Sequence, residues 1–163
     1  MKAMLDLPEK HAQVLSLILE MIPPADIFWV LTGSAGLRLQ GVDISVNDLD
    51  LQTDTVSIYL LEKRLVDYMS VPVHVWETEH TWSYHGQAEI DGLQVELLGD
   101  IRHRRSDGLW ESPLDLLPVR RWVSWRGQNV PVLSLEHEAS AYEKMGRLQK
   151  AEIIRSSITK ENV

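Results

Sequence analysis

The sequence contains no cysteine among its 163 residues. This absence excludes disulfide bonds, thiolate metal sites and a cysteine nucleophile. No hydrophobic run approaches the about 18 residues that a membrane-spanning helix needs. The start, MKAMLDLPEK, also has no apolar segment followed by a small-residue cleavage site. We therefore expect a cytoplasmic protein that does not bind a membrane.

Positive charge is scarce as well. Lysine and arginine total 16 against 24 acidic residues, which gives a formal net charge of −8. Because the acidic residues are spread along the chain, indiscriminate binding to nucleic acid or anionic lipid is disfavoured. One basic run, Arg102–Arg105, stands out, but such a run is more often a solvated loop or strand edge than a polyanion-binding patch.

The length and the hydrophobic pattern predict one domain over residues 1–163, of the α/β (α+β) class. Apolar residues at helical spacing predict helices, and short β-branched or aromatic runs predict strands. The predicted helices cover residues 5–22, 54–66, 134–146 and 147–158, and the predicted strands cover 27–31, 48–53 and 71–76. Two hairpins are expected, one over residues 81–98 turning at Asp91-Gly92 and one over 120–133 turning at Gly127.

A Gly-Ser turn follows the strand at 27–31. Ser34 suits the N-cap of a short helix that ends near Gly41. Gly33 permits a tight backbone at this turn. The free amides at the start of the helix, together with the Ser34 hydroxyl, form a small anion site suited to phosphate.

Two acids lie one residue apart on the next strand. Side chains two positions apart share a face of a strand, so Asp48 and Asp50 point toward one place. Like charges that converge there favour a raised pKa or a bound cation, and hard oxygen ligands favour Mg²⁺ or Mn²⁺. Glu96, inside an apolar strand, is the predicted third acid, with Glu89 and Asp100 as rivals for its place.

These residues together resemble a known family. An apolar strand, Gly33-Ser34, thirteen intervening residues, Asp48-Leu-Asp50-Leu and a later strand acid at Glu96 resemble the nucleotidyltransferase superfamily. That superfamily includes DNA polymerase β, antibiotic nucleotidyltransferases and small stand-alone members. The resemblance covers about residues 28–98, and it departs at Thr32, where the family usually carries an apolar residue.

The resemblance implies a fold and a set of roles. It implies a mixed β-sheet flanked by helices, with a nucleotidyltransferase-like core at about 25–100 and a short pair of C-terminal helices at about 134–159. Asp48, Asp50 and Glu96 would bind the metal and act in catalysis, Glu96 by helping to deprotonate the attacking hydroxyl. Gly33 and Ser34 would hold the triphosphate.

Basic residues near this centre are further candidates for nucleotide binding. The resemblance implies that Arg38, and either Lys144 or Arg147, could reach the triphosphate. The alternative is that these side chains line a solvated helix face. In that case they pair at one-turn spacing with nearby acids, namely Glu138, Glu143 and Glu152.

The function implied is a metal-dependent enzyme that moves a nucleoside monophosphate, expected to be AMP, from a nucleoside triphosphate to a hydroxyl. The sequence leaves open whether the acceptor is a small molecule such as an antibiotic, a tRNA end or a protein side chain. The alternative is a non-catalytic or conditionally active member of a toxin–antitoxin-type complex. Because little chain follows Glu96, substrate selection could also require a helical protein partner or a second copy in a homodimer.

Overall fold

One mixed sheet of seven strands organises the part of the chain that the computed structural model describes, which is the backbone of residues 5–161 and the side chains of residues 5–158. The predicted domain's ends, 1–4 and 162–163, lie outside that part. The strands are β1 (Val30–Thr32), β2 (Leu49–Thr53), β3 (Met69–Glu77), β4 (Thr81–Ile90), β5 (Leu93–His103), β6 (Arg120–Trp125) and β7 (Gln128–Leu133). The helices are α1 (Glu9–Met21), α2 (Gly33–Leu39), α3 (Thr55–Arg64), α4 (Leu135–Lys144) and α5 (Leu148–Glu161), with a short 3-10 helix at Leu117–Val119.

The strand order is β3-β4-β5-β2-β1-β7-β6. Strand β2 runs parallel to β5, and β1 runs parallel to β7, while the other neighbours are antiparallel. The predicted mixed sheet flanked by helices is therefore confirmed. The parallel pairing of β2 with β5 brings together two segments that are far apart in the sequence.

Both predicted hairpins are present, and their turns explain why. Asp91 and Gly92 have φ values of 51° and 78°, and Arg126 and Gly127 have values of 47° and 76°. Two consecutive residues with positive φ make the tight turn whose twist matches that of the flanking strands. Local turn chemistry thus fixes the register of β4 with β5 and of β6 with β7.

The two faces of the sheet have different coverings. On β2, Leu49 and Leu51 are fully buried in the main core, which α1 and α3 complete. Asp50 and Gln52 alternate with them and lie on the opposite face. A second, smaller cluster joins α2, α4 and α5 through Leu37, Ala139, Ile154 and their neighbours. The strand alternation therefore directs polar side chains toward α4.

The start of α1 and the end of β5 differ clearly from the sequence prediction. The first helix begins at Glu9 because Pro8 precedes it, rather than at residue 5. Strand β5 continues to His103 instead of ending at residue 98, because its pairing with β4 resumes beyond a bulge at Trp82 and Tyr84. None of the helices within residues 5–161 is long and apolar enough to cross a membrane.

We predict that Gly36→Ala destabilises the fold. Although alanine favours a helix by about 1 kcal/mol over glycine, a Cβ at this position would lie 2.6 Å from the backbone carbonyl oxygen of Leu31. The carbonyl belongs to β1 and cannot move freely, so we expect a net loss of about 1–3 kcal/mol. Urea unfolding measures the loss, with Gln13→Ala on the exposed side of α1 as a control near zero. A more stable Gly36→Ala variant would contradict the close packing of α2 on β1.

Candidate active site

The parallel pairing of β2 with β5 brings the predicted acids together. Asp50 lies directly opposite Glu96 in the register of these strands. Burial, followed by the charges of Glu96 and Asp48, raises the pKa of Asp50 to about 7. Burial and the charge of Asp48 also raise the pKa of Glu96, against a hydrogen bond of 2.9 Å from Gln94 Nε2 to Glu96 Oε1. The three carboxylates therefore share one region of negative potential.

Neither rival of Glu96 has this position. Asp100 Oδ2 accepts a hydrogen bond of 2.9 Å from Arg102 Nη2, so its charge is already compensated. Glu89 is exposed near the turn of the β4–β5 hairpin. Within the described part of the chain, no three histidine or acidic side chains already converge as a formed metal site. The metal-binding and catalytic roles of Asp48, Asp50 and Glu96 stay predictions.

Gly33 lies against the carboxylate of Asp50. Its φ is +68°, a conformation that favours glycine, and a Cβ added there would lie 2.4 Å from Asp50 Oδ2. Any side chain at this position would therefore collide with the acid and strain the backbone. This close approach explains the glycine of the Gly-Ser turn without reference to a ligand.

The N-cap role predicted for Ser34 is wrong. Helix α2 begins one residue earlier, at Gly33, so Ser34 lies inside it. The Ser34 hydroxyl accepts a hydrogen bond of 3.0 Å from the backbone N–H of Asn47. This bond fixes the loop that leads directly into Asp48, so Ser34 supports the acids through the backbone.

The amide at the turn already has an anionic partner. Glu138, on α4, accepts a hydrogen bond of 3.3 Å from the Gly33 N–H and another from the Thr32 hydroxyl, both at Oε1. The side chain is only 3% exposed, and burial raises the pKa of Glu138 to about 7. The turn that the sequence predicts as an anion site thus carries a buried carboxylate from another element.

Sequence reasoning treated Glu138 only as a pairing partner for basic side chains. The sequence does contain a pattern that indicates burial of Glu138. This residue falls at helical spacing among Leu135, Ala139 and Tyr142, which are all buried on one face of α4. A carboxylate on an apolar face needs hydrogen-bond donors. Thr32, the departure from the family pattern, supplies one of them.

A cavity of about 350 Å³ extends from Asp50 between the sheet and α4. Gly33, Asp50 and Glu138 line one part of it, and strand residues Gln52, Ser83 and Leu98 line another. The remaining lining residues are Thr32, Thr81, Ile101, His103, Glu111, Ser112, Leu114, Leu133, His137, Ala141, Tyr142, Lys144, Met145 and Arg147. Most of these side chains are apolar or neutral, as in a small-molecule site.

The predicted basic residues have different positions. Lys144 lines the cavity, where its Nζ lies 2.8 Å from Glu111 Oε2. Arg147 lines it too, with its guanidinium over the ring of Tyr142 at 5.1 Å. Arg38 does not line it, because Nε donates to the carbonyl of Asp6 at 2.7 Å and Nη1 contacts Asp43 and Ile44. Its contacts do not support the predicted nucleotide-binding role.

Lys150 is a further positively charged side chain close to the acids. The sequence gives no indication that Lys150 lies there. Its Nζ lies 4.8 Å from the centre of the Tyr142 ring, and its charge acts to lower the pKa of both Asp50 and Glu138. Burial, and then the charge of Arg147, lowers the pKa of Lys150 itself. The negative potential around Asp50 is therefore only partly offset.

Comparison with known proteins identifies the family. Residues 14–155 match the model of the family described as aminoglycoside-2''-adenylyltransferase. The chain belongs to this family. Aminoglycoside-2''-adenylyltransferase family membership confirms the resemblance to the nucleotidyltransferase superfamily, and the chain is a nucleotidyltransferase.

Two solved structures are similar to this family member. A Thermotoga maritima protein proposed to be a nucleotidyltransferase shares 40% identity over 96% of this chain and 97% of that one, with a TM-score of 0.84. The lincosamide antibiotic adenylyltransferase LnuA, bound to lincomycin, shares 14% identity over 90% of this chain and 99% of that one, with a TM-score of 0.51. The second likeness is one of fold. A search of curated proteins finds no match.

We predict that Asp50→Asn stabilises the metal-free protein at pH 8. The pKa of Asp50 is higher in the folded chain than in the unfolded chain, so folding at pH 8 must accommodate a charged, buried carboxylate. The penalty is largest above pH 7 and disappears below about pH 4, where both the folded and the unfolded state become protonated. With about 1.4 kcal/mol for each pKa unit, we expect a gain of roughly 1–4 kcal/mol at pH 8 and less at pH 5.

Chemical unfolding in EDTA at the two pH values measures this gain. Asp67→Asn, at an exposed aspartate, is the matched control and should change stability little. If Asp50→Asn were neutral or destabilising at pH 8, burial and the neighbouring carboxylates would not penalise the charged form of Asp50 as the structure indicates.

Proposed function

We propose that this chain transfers AMP from ATP to a hydroxyl group of a small molecule and releases pyrophosphate. The observation that carries the proposal is the position of Asp50, which lies beside Glu96, against Gly33 and at one end of a cavity. The family's description as an adenylyltransferase supports AMP as the transferred group. A volume of about 350 Å³ lies in the range of small-molecule sites and supports a small acceptor over a macromolecular one.

Among small molecules, hydroxyl-bearing amino sugars are the first class to test. The family is described by its action on an aminoglycoside, and LnuA holds lincomycin. The cavity offers a compatible surface, since it has apolar walls for a ring and, once Lys144 leaves it, the Glu111 carboxylate for a cationic group. A tRNA end and a protein side chain are the alternative acceptors, and the assay described below tests them together with the amino sugars.

The reaction balances without a further reactant. The acceptor hydroxyl oxygen forms a bond to the α-phosphorus of ATP, and the bond from that phosphorus to the oxygen bridging to the β-phosphate breaks. Pyrophosphate leaves with the electrons of the broken bond. In the proposal, Glu96 takes the hydroxyl proton, a role supported by its position opposite Asp50 and by a pKa that burial raises above the usual value of a glutamate.

The acids fit a hard divalent cation by donor chemistry. Asp48, Asp50 and Glu96 offer only carboxylate oxygens, and burial together with mutual repulsion raises the pKa of Asp50, which a cation would reverse. We propose that these three residues hold Mg²⁺ or Mn²⁺. A cation bound there would neutralise charge on the reacting phosphates.

Other residues of the chain would bind and orient the nucleotide. In the proposal Gly33 and Ser34 hold the triphosphate, which is supported by the close approach of Gly33 to Asp50 and by the hydrogen bond through which Ser34 holds the loop before Asp48. Lys144 is available to the triphosphate from the cavity wall once it leaves Glu111. The cytoplasmic location, the homodimer and the toxin–antitoxin alternative stay predictions.

We predict that Asp50→Asn and Glu96→Gln abolish or strongly reduce pyrophosphate release. The purified protein is incubated with each nucleoside triphosphate, Mg²⁺ and a panel of aminoglycosides, tRNA and protein acceptors. Loss of proton transfer at Glu96 should lower the rate by about 10²–10⁴-fold. Asp67→Asn is the matched control and should retain the parent rate. Release that is equal in the parent and the Asp50 variant would contradict the proposed centre.

We also predict that ATP stabilises the protein only when a divalent cation is present. At a ligand concentration of about 100 times Kd, stabilisation should reach about 2.7 kcal/mol. This corresponds to a rise in Tm of roughly 5–10 °C for a chain of this size. EDTA and Asp50→Asn should each remove the shift. A full shift in EDTA would mean that the acids do not hold a metal in the nucleotide complex.

A further inference from the structure

A buried carboxylate on α4 reaches across to the turn that begins α2. Glu138 Oε1 accepts hydrogen bonds from the Gly33 N–H and the Thr32 hydroxyl, although 105 and 106 residues separate the partners in the sequence. The glutamate is 3% exposed and lines the cavity beside Asp50. The proposed chemistry gives this side chain no role.

Both hydrogen-bond donors to Glu138, Thr32 and Gly33, lie next to Asp50. Thr32 is the residue opposite Asp50 in the antiparallel pairing of β1 with β2. Gly33 lies so close that an added Cβ would be 2.4 Å from Asp50 Oδ2. A shift of this turn by a few tenths of an ångström would therefore alter the space that the Asp50 carboxylate occupies.

Helices α2 and α4, which the hydrogen bonds of Glu138 connect, are both held by other contacts. Helix α2 packs on α4 through Leu37 and Ala139, which belong to the same buried cluster. At the start of α4, the Ser134 side chain accepts a hydrogen bond of 3.2 Å from the His137 N–H. Glu138 thus connects two anchored elements, and its carboxylate can fix the turn between them.

Packing alone does not explain a glutamate at this position. Its neighbours on the buried face of α4 are apolar or aromatic, and an apolar residue would fill the site without the penalty for burying a carboxylate. The two donors recover part of that penalty. What a glutamate adds is a directional acceptor aimed at Thr32 and Gly33.

We propose that Glu138 is a positioning residue for nucleotidyl transfer, which holds Thr32 and Gly33 so that the Asp50 carboxylate keeps its reactive position. The inference rests on the proposed function for its kinetic consequence. Its structural core, the control of the Gly33 turn by α4, is independent of activity. Glu138 contributes through an acceptor oxygen and not through its charge.

The test compares Glu138→Gln, which keeps an acceptor oxygen, with Glu138→Ala, which removes it. Glu136→Gln, on the exposed side of the same helix, is the matched control. Amide hydrogen exchange by NMR reports directly on the Gly33 N–H. We expect exchange at Gly33 to become roughly tenfold faster in Glu138→Ala, with little change in Glu138→Gln or in the control.

Steady-state kinetics supply the second readout. Glu138→Ala should lower kcat by about 10–100-fold, as expected for loss of a supporting hydrogen bond, with a smaller change in the acceptor KM. Glu138→Gln should retain most of the parent kcat. Thr32→Val removes only the hydroxyl donor and should lower kcat in part. The Thr32→Val and Glu138→Ala changes combined should lose less than the sum of the two single effects.

Several outcomes would overturn the inference. Equal loss of kcat in the Gln and Ala variants would make Glu138 a proton-transfer or charge-bearing group. A raised acceptor KM with unchanged kcat would make it part of the binding wall. If Glu138→Ala does not fold, Thr32→Val and Glu138→Gln still decide the matter. If the parent releases no pyrophosphate, the proposed function fails, whereas unchanged Gly33 exchange in Glu138→Ala rejects the positioning role itself.

Discussion

The parallel pairing of β2 with β5 is the constraint on which the rest of the site depends. It places Asp50 directly opposite Glu96, and so concentrates carboxylates that would otherwise lie about 45 residues apart along an extended chain. The structure stabilises this arrangement by burying the alternate side chains, Leu49 and Leu51, in the core. Strand alternation thus places a cluster of repelling carboxylates directly beside the buried core.

The clustered carboxylates explain the residues that surround them. Gly33 is required because no side chain fits beside Asp50, and Ser34 fixes the loop before Asp48 through Asn47. Lys150 compensates the charge only in part. The resulting centre is costly for the folded protein and suited to a positively charged ligand, which is the usual conflict between stability and function at an enzyme site.

Much of this could be predicted from the sequence, for local reasons. The period of two along the predicted strand 48–53 predicts that Asp48 and Asp50 share a face, although β2 itself begins at Leu49, and the Asp-Gly turn fixes the hairpin that contains Glu96. Glu96 comes close to the two aspartates once β5 pairs with β2. The metal and nucleotide roles of these residues follow from the family resemblance and are not tested by the fold.

The contacts that could not be predicted join distant segments. The bond from Thr32 to Glu138 spans 106 residues, and the Lys144–Glu111 pair spans 33. The resemblance implies that Arg38, on the short helix after the turn, could reach the triphosphate, but successive side chains of a helix point about 100° apart. Arg38 therefore meets Asp6 and Ile44 on another side. The direction in which each side chain points, and not its distance along the sequence, determines these contacts.

The cavity walls come mainly from three separate parts of the chain: the sheet, α4 and the irregular segment after β5. Asp50 comes from β2 inside the sheet and Glu138 comes from α4, whereas Glu111, Ser112 and Leu114 come from the irregular segment after β5. Irregular segments accept substitution and changes of length more readily than paired strands do. Substitutions in this segment can therefore change the shape of the cavity without moving Asp50, because paired strands hold that carboxylate in place.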